Sequence, residues 1–291
     1  METGELLKKV RRIEIKTRGL SQNIFAGEYH TAFKGRGMTF AEVREYQYGD
    51  DVRTIDWNVT ARFQKPYIKI FEEERELTVM LLIDVSGSND FGSGERLKRD
   101  LITEIAATLA FSTIQNNDKI GVIFFTDRIE KFIPPQKGRK HILYIIRELL
   151  DFRPKQQGTD VGMALQYLTN VIKKRCTAFV LSDFIQPADF QDAAVIANRK
   201  HDVMALQVYD RRDMELPPVG LIKLKDPETG RRLWVDTESA KTRMQYKNAW
   251  TERNFRMEQI MLKAGIDVVK IEAQSDYVKA ILGMFRMRGT R

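Results

Sequence analysis

From residue 77 onward, short continuous apolar runs alternate with longer stretches in which apolar residues recur every three or four positions. Leu77 to Asp84 is apolar, rich in β-branched residues and ends in a carboxylate, the pattern of a strand buried on both faces. Leu97, Leu101, Ile102, Ile105, Leu109 and Ile114 predict an amphipathic helix. Lys119 to Phe125 reads as a second buried strand, with Ile129 to Ile133 beside it until Pro134-Pro135 stops it. Helices follow at His141–Leu150 and Val161–Ile172, a strand at Ala178–Leu181, a helix at Ala188–Asn198 and a strand at Val203–Val208. Two short alternating runs, Leu221–Leu224 and Arg232–Val235, flank the turn residues Asp226-Pro227-Glu228-Thr229-Gly230 and predict a hairpin. A long helix fits Thr237 to Ala264, with Gly265 as its stop. Ile266–Ile271 reads as a last strand and Tyr277–Phe285 as a last helix. Strands alternating with helices imply an α/β fold, doubly wound around a mainly parallel sheet. Ligands bind such sheets at the C-terminal ends of the strands.

Residues 1–76 have a different texture. Lys8, Lys9, Arg11, Arg12, Lys16 and Arg18 make the beginning basic, and glycine turns follow at Gly27 and at Gly35-Arg36-Gly37. Residues 66–71 alternate weakly, as a strand would, before the acidic run Glu72-Glu73-Glu74-Arg75-Glu76. The expected organisation is a small β-containing segment over 1–76 and an α/β domain over 77–291, with a hairpin insertion near 219–236. Between them, Arg44, Glu45, Asp50, Asp51, Arg53, Asp56 and Arg62 surround Trp57. An ion-pair network joining the first segment to the core, with Trp57 packed as an anchor, accounts for this cluster better than catalysis does.

Charge sharpens the choice of partner. Lys and Arg number 48 against 40 Asp and Glu, a formal charge of +8, which favours anionic partners such as nucleic acid or a membrane surface. No nucleic-acid-binding motif accompanies it, and the basic residues are not interleaved with aromatics. Lys34-Gly35-Arg36-Gly37 lacks the Walker spacing and reads as a surface turn, and the basic start reads as a solvated amphipathic helix. A single cysteine excludes an internal disulfide or a Cys-rich metal site, and three scattered histidines argue against a His-based zinc site. Cys176, after Lys173-Lys174-Arg175 and with no companion histidine in view, reads as a buried thiol, and His141 as structural. The first residues lack the apolar core of a signal peptide, and Leu77–Val85 is too short to span a bilayer. A cytoplasmic protein without a transmembrane segment is expected.

Three strand ends or nearby loops carry the candidate chemistry: Asp84-Val85-Ser86-Gly87-Ser88, Gly158-Thr159-Asp160 and Ser182-Asp183. Their donors are all oxygen, which suits a hard cation such as Mg²⁺. The plainer alternative has Asp84 and Asp183 capping helices or pairing with arginines. A phosphatase with an aspartate nucleophile would need a second Asp two positions after Asp84. Ser86 stands there, and it cannot serve as general acid at neutral pH. No Gly-x-Ser-x-Gly elbow stands out either.

Asp-x-Ser-x-Ser followed by a distant Thr and a distant Asp resembles the metal-ion-dependent adhesion site of von Willebrand factor A domains, and the likeness runs over about residues 77–289. Gly37-Met38-Thr39-Phe40, Arg44-Glu45-Tyr46, Gly49-Asp50-Asp51, Arg53, Asp56-Trp57 and Ala61-Arg62 extend it upstream. With them the chain resembles a bacterial family of unknown function whose members often accompany a MoxR-type AAA+ ATPase. The resemblance implies a Rossmann-like A domain that works by binding, without catalysis. It implies a metal, Mg²⁺ or else Mn²⁺ or Ca²⁺, held by Asp84, Ser86, Ser88 and Thr159, with Asp183 acting through water. It further implies a protein partner that donates an acidic side chain to the metal: a MoxR-type ATPase or its client, in the assembly or maturation of other proteins. One residue departs from the pattern, since Phe184 stands where many A domains have glycine.

Overall fold

The computed structural model describes residues 38–73, 77–94, 96–156, 158–186, 188–228 and 230–289. The basic start, the glycine turns through Gly37 and the end of the acidic run lie outside the described residues. The described chain divides into two compact units, residues 38–77 and residues 78–289.

In the smaller unit, β1 (Met38–Glu45) pairs antiparallel with β2 (Tyr67–Glu73), and α1 (Trp57–Phe63) lies between them in sequence. The alternation over residues 66–71 belongs to β2. β1 carries no clean alternation because its register shifts between Phe40 and Glu42, and such a bulge breaks the period of two. Asp56 caps α1 by accepting the N–H groups of Asn58 and Val59. Part of the charged stretch forms ion pairs within the unit. Arg44 grips Asp50 through two hydrogen bonds of 2.8 and 2.7 Å, and Lys65 reaches Glu45 at 3.1 Å. Within this unit Trp57 is not packed: it is 71% exposed, and α1 buries none of its residues.

In the larger unit β3 (Thr78–Asp84) leads through α2 (Lys98–Gln115) to β4 (Lys119–Phe125) and β5 (Ile129–Gln136). Then come α3 (Arg139–Asp151), α4 (Val161–Val171), β6 (Thr177–Ser182), α5 (Gln191–Lys200), β7 (Asp202–Tyr209) and the short α6 (Arg211–Met214). The hairpin β8 (Leu221–Lys225) and β9 (Arg232–Asp236), α7 (Ala240–Ala264), β10 (Asp267–Glu272) and α8 (Tyr277–Gly289) complete it. The six-stranded sheet has the order β10-β7-β6-β3-β4-β5 and is parallel except for β5. This is the doubly wound α/β architecture expected of a von Willebrand factor A-like domain.

Period-2 alternation sorts the core. Met80 and Leu82 of β3 and Ala178 and Val180 of β6 pack with Val161 and Leu165 of α4, Ala194 and Ala197 of α5, and Met257 and Ile260 of α7. On the opposite face Phe179 meets Phe285 of α8 edge-on, with ring centroids 6.4 Å apart. Two expectations need correcting. β5 runs through Pro134-Pro135 to Gln136, because an edge strand asks for no ladder N–H on its open side. Gly121 opposite makes room: a Cβ there would lie 2.8 Å from the Ile133 carbonyl oxygen and 2.9 Å from Pro135 N. α2 is buried around most of its circumference rather than along one stripe. Its buried hydroxyls at Thr103 and Thr108 turn back onto the carbonyls of Arg99 and Glu104 at 2.9 and 2.8 Å.

α7 starts at Ala240 rather than Thr237, since the buried Thr237 hydroxyl donates to Gly220 O at 2.7 Å and ties off the base of the hairpin. Gly265, at φ +69°, ends the helix as expected. Cys176 is buried, but a histidine does accompany it: Sγ lies 3.3 Å from His201 Nδ1. The two form no reactive ion pair. Burial pushes the thiol up to about 12 and the imidazole down to about 4. Because the folded-state value for His201 lies below the ordinary one, the neutral ring's contribution is full above about pH 6.5 and fades as pH falls towards 4. The complete loss is about 3 kcal/mol. Urea denaturation at about pH 7 and about pH 4.5 checks this: His201→Asn should remove that part of the acid sensitivity, and an unchanged pH slope contradicts it.

The connection from β3 to β4 moves along the sheet in one direction, and that from β6 to β7 moves in the other. The C-terminal ends of β3 and β6 therefore flank the topological switch point, where open α/β sheets bind ligands.

Candidate metal-binding site

β3 ends at Asp84 and β6 at Ser182, neighbouring strands of the sheet, so Asp84 and Asp183 reach the same edge. After Asp84 the chain curls: Asp84 Oδ1 accepts the Ser86 N–H at 2.9 Å, and residues Gly87–Asp90 form a 3-10 turn. That curl faces the Ser86 and Ser88 hydroxyls to each other at 3.0 Å. Asp84, Ser86, Ser88, Thr159 and Asp183 are all buried. Thr159 is positioned by its neighbour: Asp160 caps α4, its side chain accepting the Met163 N–H at 2.8 Å.

Two of the five candidates are engaged in ways the sequence did not suggest. Thr159 Oγ1 donates to Glu228 Oε1 at 3.1 Å, and Glu228 comes from the turn between β8 and β9. Asp183 Oδ2 accepts from Lys98 Nζ at 2.8 Å, and its Oδ1 accepts the Ile185 N–H at 3.0 Å. Lys98 is itself 1% exposed and pairs also with Asp213 at 3.0 Å. Burial disfavours the charged ammonium, but Asp183 and Asp213 more than offset this, so its pKa is raised. Among the described residues, Asp84 and Asp183 thus do not pair with arginine, and neither caps a regular helix.

Phe184, in the position where glycine is common, adopts φ +57°, the left-handed conformation that glycine reaches freely. Its N–H donates to Ser182 Oγ at 2.9 Å, and its buried ring stacks on Phe190 at 6.4 Å. Packing holds the loop in the shape a glycine would take. Ser182 also donates to Asp84 Oδ2 at 2.5 Å, so both Asp84 oxygens are oriented.

The electrostatics call for positive charge. Burial, then Asp183, pushes Asp84 up to about 6. Burial pushes Glu228 up to about 7, with Asp183 and Asp84 adding to it against the Thr159 hydrogen bond. Lys98 serves Asp183, on the side of Asp213, while Asp84 and Glu228 share no such cation among the described residues. Two buried acceptors beside the strand ends, Asn89 Oδ1 and Gln207 Oε1, have no hydrogen-bond partner among the described residues. No group of three or more His, Cys, Asp or Glu side chains is placed to hold a metal among the described residues. A cation here would depend on hydroxyls as well as carboxylates, and the donor set of Asp84, Ser86, Ser88 and Thr159 fits a hard divalent ion. Sequence reasoning missed Lys98, Asn89 and Glu228 as members of the site, and it placed Ser182 at the strand end without its hydrogen bond to Asp84.

The family described as "Protein of unknown function DUF58" matches residues 42–256 of this chain. An uncharacterized protein of Mycobacterium tuberculosis is 31% identical over 232 residues, which are 79% of this chain and 73% of that protein. The uncharacterized protein YeaD of Bacillus subtilis is 28% identical over 109 residues, 38% of this chain and 25% of that one. Among solved structures, the conserved hypothetical protein BatB of Bacteroides thetaiotaomicron aligns with a TM-score of 0.50 at 16% identity, covering 74% of this chain and 100% of that chain. That likeness is one of fold. No helix among the described residues is long and apolar enough to cross a membrane.

Proposed function

The chain belongs to the family described as protein of unknown function DUF58, and we propose that it is a divalent-metal-dependent protein–protein interaction module. The observation that carries this reading is the meeting of Asp84, Ser86 and Ser88 in one curled loop with Asp183 on the adjacent strand end, all buried and all oxygen. Asp84, Ser86, Ser88 and Thr159 hold the ion, Mg²⁺ in preference and Mn²⁺ or Ca²⁺ in its place, and Asp183 acts through water. The ion supplies a strong, partly dehydrated positive charge that attracts a partner's Glu or Asp. The chain's own part is to fix the oxygens and to keep bulk water away from them.

In this reading the protein is not an enzyme. It is an adaptor in the cytoplasm for a MoxR-type AAA+ ATPase or that ATPase's client, and the basic surface does not recruit nucleic acid. The purified ATPase tests the pairing. It should bind immobilised protein in Mg²⁺, come off in EDTA and fail to bind the Asp84→Ala variant. Retention in EDTA, or equal binding by that variant, contradicts the mechanism.

One observation lends weight to a phosphatase instead: Glu228, with a pKa near 7, could supply the proton that Ser86 cannot. Against it, both Asp84 oxygens already accept hydrogen bonds, from Ser86 and Ser182, which blunts a nucleophile. Magnesium-dependent turnover of p-nitrophenyl phosphate that is lost with Asp84 would favour the hydrolase; no turnover is expected.

A further inference from the structure

The β8–β9 hairpin forms a two-stranded sheet of its own and carries mostly exposed side chains, Leu221, Leu233 and Trp234 among them. It is tied down at two places. At its base Thr237 accepts the Val219 N–H at 3.0 Å and donates to Gly220 O. At its tip, Pro227 lies against Gly87 of the Asp84–Ser88 loop. A Cβ on Gly87 would come within 2.8 Å of the Pro227 carbonyl oxygen, so only glycine allows the tip this close. The turn is internally fixed: Asp226 N–H donates to Arg231 O at 2.8 Å, and Asp226 Oδ1 accepts the Glu228 N–H at 3.0 Å. From that scaffold the Glu228 carboxylate enters the site and accepts the Thr159 hydroxyl at 3.1 Å.

We propose that Glu228 is the chain's own stand-in for the partner's acid, a built-in carboxylate that caps the metal site until a partner displaces the hairpin tip. The inference rests on the metal reading of Asp84, Ser86, Ser88 and Thr159. It deepens that reading by naming what occupies the open position at rest. The residue type is the one an external ligand would offer. Its turn lies against Gly87 of the Asp84–Ser88 loop, and the contact is to a side chain of the ligand set itself. A carboxylate gains most where it neutralises a cation, whereas beside Asp84 and Asp183 alone it is repelled. Holding Glu228 there by the Pro227–Gly87 contact is therefore counterproductive without an ion and sensible with one. The hairpin strands are mostly exposed and pair with each other rather than with the six-stranded sheet, so breaking the tip contacts leaves that sheet's pairing intact. A partner must then outcompete an intramolecular ligand, which raises the threshold for binding and rejects weak acidic surfaces.

Mn²⁺ alone is the probe, with the full chain as wild type, Glu228→Ala and Asp84→Ala. Free Mn²⁺ measured by electron paramagnetic resonance reports affinity, and water-proton relaxation counts the exchangeable waters on bound Mn²⁺. Wild type is expected to bind Mn²⁺ with one exchangeable water fewer than Glu228→Ala. The alanine variant should bind roughly ten-fold more weakly or worse, as loss of a supporting ligand costs elsewhere. Asp84→Ala should not bind. Equal water counts in wild type and Glu228→Ala, with binding still dependent on Asp84, overturn the cap and leave the metal reading standing. Absence of Mn²⁺ binding by wild type overturns both.

Discussion

In Asp84→Asn, saturating Mn²⁺ no longer raises stability, although in EDTA the variant is at least as stable as wild type. The Asp84 carboxylate is buried, and burial with Asp183 nearby lifts its folded-state value from 3.8 to about 6. A raised value means that ionised Asp84 opposes folding when no cation is present. The penalty is absent below about pH 4 and complete above about pH 6, and at pH 8 it reaches roughly 3 kcal/mol. Asparagine keeps an acceptor for the Ser86 N–H and carries no charge to bury. A cation at one hundred times its dissociation constant stabilises wild type by about 2.7 kcal/mol. Denaturant titrations of both proteins at pH 8, in EDTA and in Mn²⁺, check both halves. Equal stabilisation of wild type and variant by Mn²⁺ would sink the assignment of Asp84.

Lys98→Met produces the largest loss of stability, about 3–5 kcal/mol, because it leaves two carboxylates in the interior without their counter-charge. Lys98 Nζ lies 2.8 Å from Asp183 and 3.0 Å from Asp213, and its side chain is 1% exposed. Methionine keeps the apolar stem, so packing changes little. Asp213 bridges onward: its Oδ2 also accepts the Asp210 N–H at 2.8 Å, and Asp210 holds the Ser93 hydroxyl at 2.6 Å. The loop after the 3-10 turn should therefore loosen together with the site. Adding Asp213→Asn removes one stranded charge and should recover part of the loss, and a divalent cation near Asp183 should recover more. Urea titration of the single and double variants measures this, and a loss below about 1 kcal/mol for Lys98→Met would show that water reaches the triad.

The parts legible in the sequence were those fixed by neighbours along the chain. Leu77–Asp84 read as a doubly buried strand because both sheet faces are covered, Ala178–Leu181 read as a strand, and the order of strands and helices then implied the doubly wound sheet. The Asp84–Ser88 loop was legible because its members are separated by two residues, as a curling turn requires. Lys98, Asn89 and Glu228 were not. Lys98 sits on a different element from Asp183, which is 85 residues further on, and Glu228 looked like ordinary turn chemistry between two short strands. Their roles depend on which loops the sheet brings together, and no local period encodes that. β1 went unread and the Pro134-Pro135 segment was misread for a related reason. A bulge and a vacant sheet edge suspend the rules that alternation and proline otherwise obey.

A crystal of the full chain grown with Mn²⁺, examined for anomalous scattering at the manganese edge, tests the central claim most directly. A single strong peak bonded to oxygens of Asp84, Ser86, Ser88, Thr159 and Glu228 is expected. A fully loaded crystal with no peak between the ends of β3 and β6, or with its strongest peak elsewhere, would contradict it.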